Sequence, residues 1–214
     1  MRSTGRLALA GLGLAAAAGG VCAYVRWLRP YQMHWGATDE EVARPLPGDE
    51  VVGRPHFDAT RALTIAAPPA AVWPWLVQIG SKRAGWYSYD WLDNARIPSS
   101  WEILPEFQHI EVGAFVPTVP DREIGLWVKA FEVERYILWW DKKGDATWLW
   151  WLEPDEDGST RLLVRLRTRY SLTPWWLVPY WPLFDVGDIV MMRRCMLGIR
   201  ARAEAAAREG APAS

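Results

Sequence analysis

A double proline closes a β-like run and opens an apolar helix pattern, and this junction constrains the fold more than any other stretch. The run Ala59–Ile65 (ATRALTI) leads straight into Ala66–Gly80 (AAPPAAVWPWLVQIG). Val72, Trp75, Leu76 and Ile79 stand at i, i+3, i+4 and i+7 and so share one helix face. Pro69 suits a first-turn position, where its missing N–H costs nothing. Pro74 sits deeper, which predicts a bend or an unpaired carbonyl near residue 70. A strand, a proline-started helix and a long antiparallel meander predict a curved sheet around a cavity. Such a cavity holds something apolar but names no reaction by itself.

With 214 residues the chain suits one domain with a sizeable core plus attachments. Half the residues are apolar and the formal net charge is −1, which excludes the basic footprint of a nucleic-acid binder. Sixteen tryptophans favour cores, ligand pockets or membrane interfaces, because the ring is large and stiff and carries one donor. Cys22 and Cys195 stand far apart, with Cys22 inside an apolar stretch, which argues against a structural disulfide.

That stretch, Leu7–Val25 (LALAGLGLAAAAGGVCAYV), is uncharged for nineteen residues, just enough to span a bilayer. Arg2 and Arg6 precede it; Arg26 and Arg29 follow. The leading expectation is a single-pass anchor over residues 1–29, placing the protein at the cell membrane with either side open to the domain. A signal peptide cleaved near Val21-Cys22-Ala23 and a soluble helix are the alternatives.

Residues 30–57 read as an irregular lead-in, with breakers such as PLPGDE (Pro45–Glu50). Thr38 or Asp39 suits the cap of a short helix there, and Ser88 that of a second one over Tyr89–Ala95. Strands are expected over Val112–Val116, Leu126–Val133, Tyr136–Trp140, Thr147–Leu152 and Arg161–Tyr170, joined by DKKGD and PDEDGS turns. In the last strand, Leu162, Val164, Leu166, Thr168 and Tyr170 alternate with Arg161, Leu163, Arg165, Arg167 and Arg169. One face is apolar and the other cationic, expected to be a solvated outer face with cross-strand carboxylate partners. Thr173–Phe184 (TPWWLVPYWPLF) carries three prolines and is expected to be non-helical, covering a cavity mouth or dipping into a membrane interface. A long helix is expected from Asp185 or Asp188 to about Arg208, with Ile189, Met192, Met196, Ile199 and Ala203 as its apolar stripe. Residues 210–214 read as a disordered tail.

Together, WGATDEEVARPLPGDE, TRALTIAAPPAAVWPWLVQIG, GWYSYDWLDN and RRCMLGIRARAE resemble actinobacterial SRPBCC proteins. This is the START/Bet v 1-like superfamily, in the subgroup labelled polyketide cyclase/dehydrase or lipid-transport-like. The resemblance covers about Trp35–Glu204, and APP-x-x-VW alone indicates only the superfamily. It implies an α+β helix-grip fold over residues 58–209: a curved antiparallel sheet wrapped around a long C-terminal helix, with a hydrophobic cavity between them. Members include lipid carriers, cyclases, hormone receptors and oxygenase subunits, so the resemblance brings no catalytic motif with it.

The residues show no other chemistry. His34, His56 and His109 are isolated, and no Cys/His pair has zinc spacing. No G-x-S-x-G elbow or P-loop is present. The best polar constellation is Lys82, Arg83, Trp86, Tyr87, Tyr89 and Asp90, with Glu106 from the next loop, where a helix-grip cavity opens. Trp127, Trp139, Trp140, Trp148 and Trp150 are candidate apolar walls, and Met192 comes from the helix stripe. Trp148 and Trp150 alternate onto one face of their strand. The expected ligand contacts are therefore Arg83, Trp86, Tyr87, Tyr89, Asp90, Trp127, Trp140, Trp148, Trp150 and Met192, with no catalytic residue, cofactor or metal. The leading reading is a membrane-anchored binding or carrier module for a hydrophobic small molecule or lipid. A cyclase/dehydratase- or isomerase-type enzyme using Arg83, Tyr87, Tyr89 or Asp90 is one alternative. A structural membrane-associated protein whose cavity is filled by side chains is the other.

Overall fold

The computed structural model describes residues 19–120, 123–170 and 180–210. A π-helical turn, Tyr24–Leu28, leads into α1 (Arg29–Met33). Helix α2 (Asp39–Ala43) is fixed by a reciprocal cap: Thr38 Oγ1 accepts from Glu41 N, and the Glu41 carboxylate accepts from Thr38 N at 2.7 Å. Strand β1 (Phe57–Ile65) then meets the proline step, and Pro69 opens α3 (Pro69–Gln78) as its first residue. The short α4 (Asp90–Asp93) follows, then a 3₁₀ turn at Pro105–Phe107. The meander comprises β2 (Phe115–Pro117), β3 (Gly125–Glu132), β4 (Tyr136–Trp140), β5 (Ala146–Pro154) and β6 (Thr160–Thr168). The long helix α5 (Trp181–Gly210) closes the described chain.

All six strands form one antiparallel sheet in the order β1-β6-β5-β4-β3-β2. The α+β class, the meander and the long C-terminal helix thus agree with expectation. Two details differ. Ser88 does not cap α4, because its hydroxyl donates to the Met191 carbonyl of α5 instead. Helix α5 begins at Trp181, before the expected Asp185, because Pro182 falls in the first turn, where a missing N–H is harmless. The rest of the proline-rich stretch, 173–179, lies outside the described residues, as does the 211–214 tail.

Side-chain alternation divides the sheet into two faces. On one, Ile137 and Trp139 of β4, Trp150 and Leu152 of β5, and Leu162 and Val164 of β6 pack under α3 and α5 as the main core. Met192, Cys195, Met196, Ile199 and Ala203 are the buried stripe of α5 in that core. Leu46, Leu138 and Leu149 form a smaller cluster on the other face.

The arginine row lies on this second face, and it is not solvated as expected. The 38–50 segment straps across it. Arg165 is only 5% exposed and donates to Thr60, to Asp49 and to the carbonyls of Glu41, Val42 and Arg44. Arg161 holds Glu41 in a two-pronged ion pair at 2.8 and 2.9 Å. Arg167 bridges Asp49 and Asp58. The carboxylate partners come mainly from the lead-in rather than from the neighbouring strand, and guanidinium geometry suits that role because one side chain can meet several oxygens at once.

No helix among the described residues is long and apolar enough to cross a membrane. The run Leu7–Val25 falls largely on residues outside them. Cys22 and Cys195 are both free, the first exposed and the second buried.

Candidate functional site

Between the sheet and α5 lies a cavity of about 200 Å³. Trp86, Trp148, Leu166, Met191, Met192 and Cys195 make its apolar lining, and Ser88, Thr118, Asp93 and Asp188 add polar groups. Thr118 directly follows β2 at one sheet edge, whereas Leu166 belongs to β6, four strand spacings away. A flat sheet would put these strands about 19 Å apart, so the sheet is strongly curled where it lines the cavity.

Trp148 of β5 and Trp86 of the loop after α3 line the site, backed by Trp139 and Trp150 of the sheet. Trp86 stacks on Trp148 with ring centroids 5.4 Å apart and planes 4° from parallel. Trp148 stacks in turn on Trp150 at 5.2 Å, and Trp139 meets Trp148 edge-on at 5.5 Å. Trp150 is fully buried and lies behind the cavity wall, not in it. The indole nitrogens of Trp148 and Trp150 have no hydrogen-bond partner.

The two carboxylates sit on the helical side. Asp188 of α5 is gripped by Arg61 at 2.6 Å, yet about a quarter of its side chain stays exposed because it faces the cavity. Asp93 ends α4, and its Oδ1 is buried without any partner. Burial, aided by the neighbouring Asp90, raises the Asp93 carboxyl above the usual carboxylate range. Burial also pushes up the Asp188 carboxyl, against the pull of Arg61, and holds the Cys195 thiol protonated.

Three of the ten expected contact residues, Trp86, Trp148 and Met192, line the cavity. The others are placed elsewhere. Tyr87 is an internal brace: its hydroxyl donates to the Trp75 carbonyl and accepts from Gln78, and Arg202 lies 4.4 Å over its ring. Its backbone is in the left-handed region at φ 57°, held there by a hydrogen bond from its N–H to Ser99 Oγ. Asp90 is used by Ser99, which donates to it from both backbone and hydroxyl. Arg83 donates to the carbonyls of Val77 and Phe107. Tyr89 is half-buried ahead of α4, its carbonyl accepting from Leu92 and Asp93. Trp127 and Trp140 pair across β3 and β4 on the other face of the sheet, under Lys142 and Lys129 respectively.

Ser88, Asp93, Thr118, Leu166, Asp188, Met191 and Cys195 escaped the sequence reading as contacts. Two of them were within reach of it. Cys195 is three residues from Met192, on the same helix stripe, and Leu166 stands on the apolar face of the last strand. Asp93 and Asp188 had no such signal: Asp188 reads as the N-terminal start of the long helix, and Asp93 as one polar residue of a short helix. Among the described residues no group of three His, Cys, Asp or Glu is placed to hold a metal ion.

No protein-family model matches the chain, and no curated protein matches it. Solved structures do resemble it. A Mesorhizobium loti protein is 15% identical with a TM-score of 0.42, covering 69% of this chain and 97% of its own. The KanY protein is also 15% identical, with a TM-score of 0.43 over the same shares, 69% and 97%. A Polyketide_cyc-like protein of Corynebacterium glutamicum is 20% identical with a TM-score of 0.34, covering 71% of this chain and 90% of its own. Likeness of this degree carries no argument about what the chain binds or does.

Proposed function

We propose that the chain is a binding or carrier module of the helix-grip type for a compact hydrophobic molecule, tethered to the cell membrane through Leu7–Val25. The observation that carries the binding reading is the cavity of about 200 Å³ under α5, walled by Trp86, Trp148, Leu166, Met191 and Met192. An apolar cavity of roughly 150 Å³ is enough to take up benzene, so this one suits a single ring or a short branched chain. It is too small for both chains of a phospholipid. The resemblance to START/Bet v 1-like proteins implies the same kind of ligand, and the uncharged run with arginines on both flanks supports the tether.

The test is native mass spectrometry of the full chain in mild detergent, with titration of a neutral probe, ethylbenzene. One small apolar molecule per chain is the expected result, with uptake lost in Met192→Trp, which fills the cavity. Failure of the wild-type chain to bind any neutral apolar probe overturns the reading. Extraction of membranes with alkaline carbonate tests the tether: release of the full chain into the soluble fraction rejects it.

A further inference from the structure

The proposed ligand can be narrowed by charge, an inference that rests on the cavity being a binding site. Two carboxylates, Asp93 and Asp188, face a lining that contains no Lys, Arg or His. Their situations differ. Asp188 already has a counter-charge, because Arg61, itself only 1% exposed, donates to its Oδ2. Asp93 has none, and its Oδ1 is buried and unpartnered. The Ser88 hydroxyl donates to the Met191 carbonyl, and although it lies near enough to ease the Asp93 carboxylate, it carries no charge to balance it.

A buried carboxylate oxygen without a donor is costly, and the cavity is where a donor can stand. The aromatic pair Trp86–Trp148 forms another part of the same wall. The carboxylate attracts a cation by charge, while the stacked rings, engaged with one another and with Trp150, supply apolar surface for the rest of the ligand. An anion would meet two acids and no base. A neutral alcohol would satisfy one oxygen yet leave the charge uncompensated.

We propose that the cavity takes a compact apolar amine, bound as its ammonium form, with Asp93 as counter-charge and the Trp86–Trp148 pair as aromatic wall. Asp93 is the specificity-determining residue in this arrangement, and Asp188 is held in reserve by Arg61.

The experiment is calorimetric titration of the full chain in mild detergent at neutral pH with three matched probes. These are 2-phenylethylamine, 2-phenylethanol and 3-phenylpropionate, with ethylbenzene as the uncharged reference. The amine is expected to bind at least about tenfold more tightly than the alcohol, and the acid most weakly. Asp93→Asn is expected to remove the preference for the amine while leaving ethylbenzene binding within about threefold. The wild-type ranking needs no variant, so it decides the matter even if Asp93→Asn fails to fold. Equal binding of amine and alcohol, or tighter binding of the acid, overturns the amine inference and leaves the cavity reading standing. Failure of ethylbenzene and all three probes alike overturns the cavity reading, and the amine inference with it.

Discussion

Arg61 Nη1 donates to Asp188 Oδ2 at 2.6 Å, tying β1 to α5 beside the cavity. Arg61 is one of the largest fully buried side chains in the protein. Removing one partner strands the other charge, so Arg61→Leu should destabilise the domain by about 3–5 kcal/mol. The double change Arg61→Leu with Asp188→Leu should recover most of that loss, because an apolar pair avoids the desolvation of both ions. Urea denaturation of the wild type, both single variants and the double variant checks this cycle.

Asp93 should make stability fall as pH rises just above the ordinary carboxylate range. Its folded-state pKa is raised by burial, so between the unfolded and folded values the native state holds the extra proton. The neutral form is therefore favoured in the fold, and stability declines as pH climbs through the folded value. Asp90 and Cys195 face Asp93 from α4 and α5. Asp188 contributes a slope of the same sign, because its pKa is raised too. Asp93→Asn should flatten part of the slope, leaving the Asp188 share; thermal melts in steps from about pH 4 to pH 7 measure the difference.

Glu41 should act in the opposite direction. Its hydrogen bonds to Arg161, and then that to Thr38, hold its carboxyl below the usual range. This contribution is complete above the unfolded pKa and disappears as pH falls through the folded one. Glu41→Gln should cost about 1–2 kcal/mol at neutral pH and little under strongly acid conditions, since both the ion pair and the cap are involved. Comparing the denaturant midpoints of the two proteins at each pH tests the convergence.

Gly198 in α5 should not tolerate alanine, although alanine favours helices by about 1 kcal/mol. A Cβ at that position would overlap the Tyr87 carbonyl oxygen and crowd the Tyr87 Cβ at 2.7 Å. The left-handed backbone of Tyr87 and its four-way bracing leave it little room to yield. Gly198→Ala should lose about 1–3 kcal/mol by overpacking, whereas Gly187→Ala, where a Cβ meets nothing within 4 Å, should gain. Parallel urea curves separate the two.

Much of the architecture was legible in periodicity. The proline-started helix, the hairpin spacings and the stripe of α5 all rest on local patterns that tertiary packing left intact. The arginine face was legible as a face but not as an interface. Alternation on β6 shows which side Arg165 takes, whereas only the folded path of the 38–50 strap brings Asp49 and the carbonyls of Glu41, Val42 and Arg44 to it. The site was legible in its aromatics and obscure in its charges. Trp148 could be assigned to a face by counting, while only the choice of Trp139 and Val128 for the core face puts their neighbours Trp140 and Trp127 on the far side. Polar residues clustered in sequence, such as Arg83, Tyr87 and Asp90, found partners in the preceding helix or the following loops, and those partners consumed them.

The start of α5 is also clasped from the N-terminal side: Tyr24 and Arg29 both donate to Asp185 Oδ2 at 3.0 Å, and the Asp185 side chain is only 4% exposed. The helix that forms one wall of the cavity and the segment that precedes the sheet are therefore one mechanical unit. The stem works as a bracket and not as a leash. Asp185 stands one helical turn before Asp188 of the cavity lining, so the clasp and the cavity wall share the same first stretch of α5.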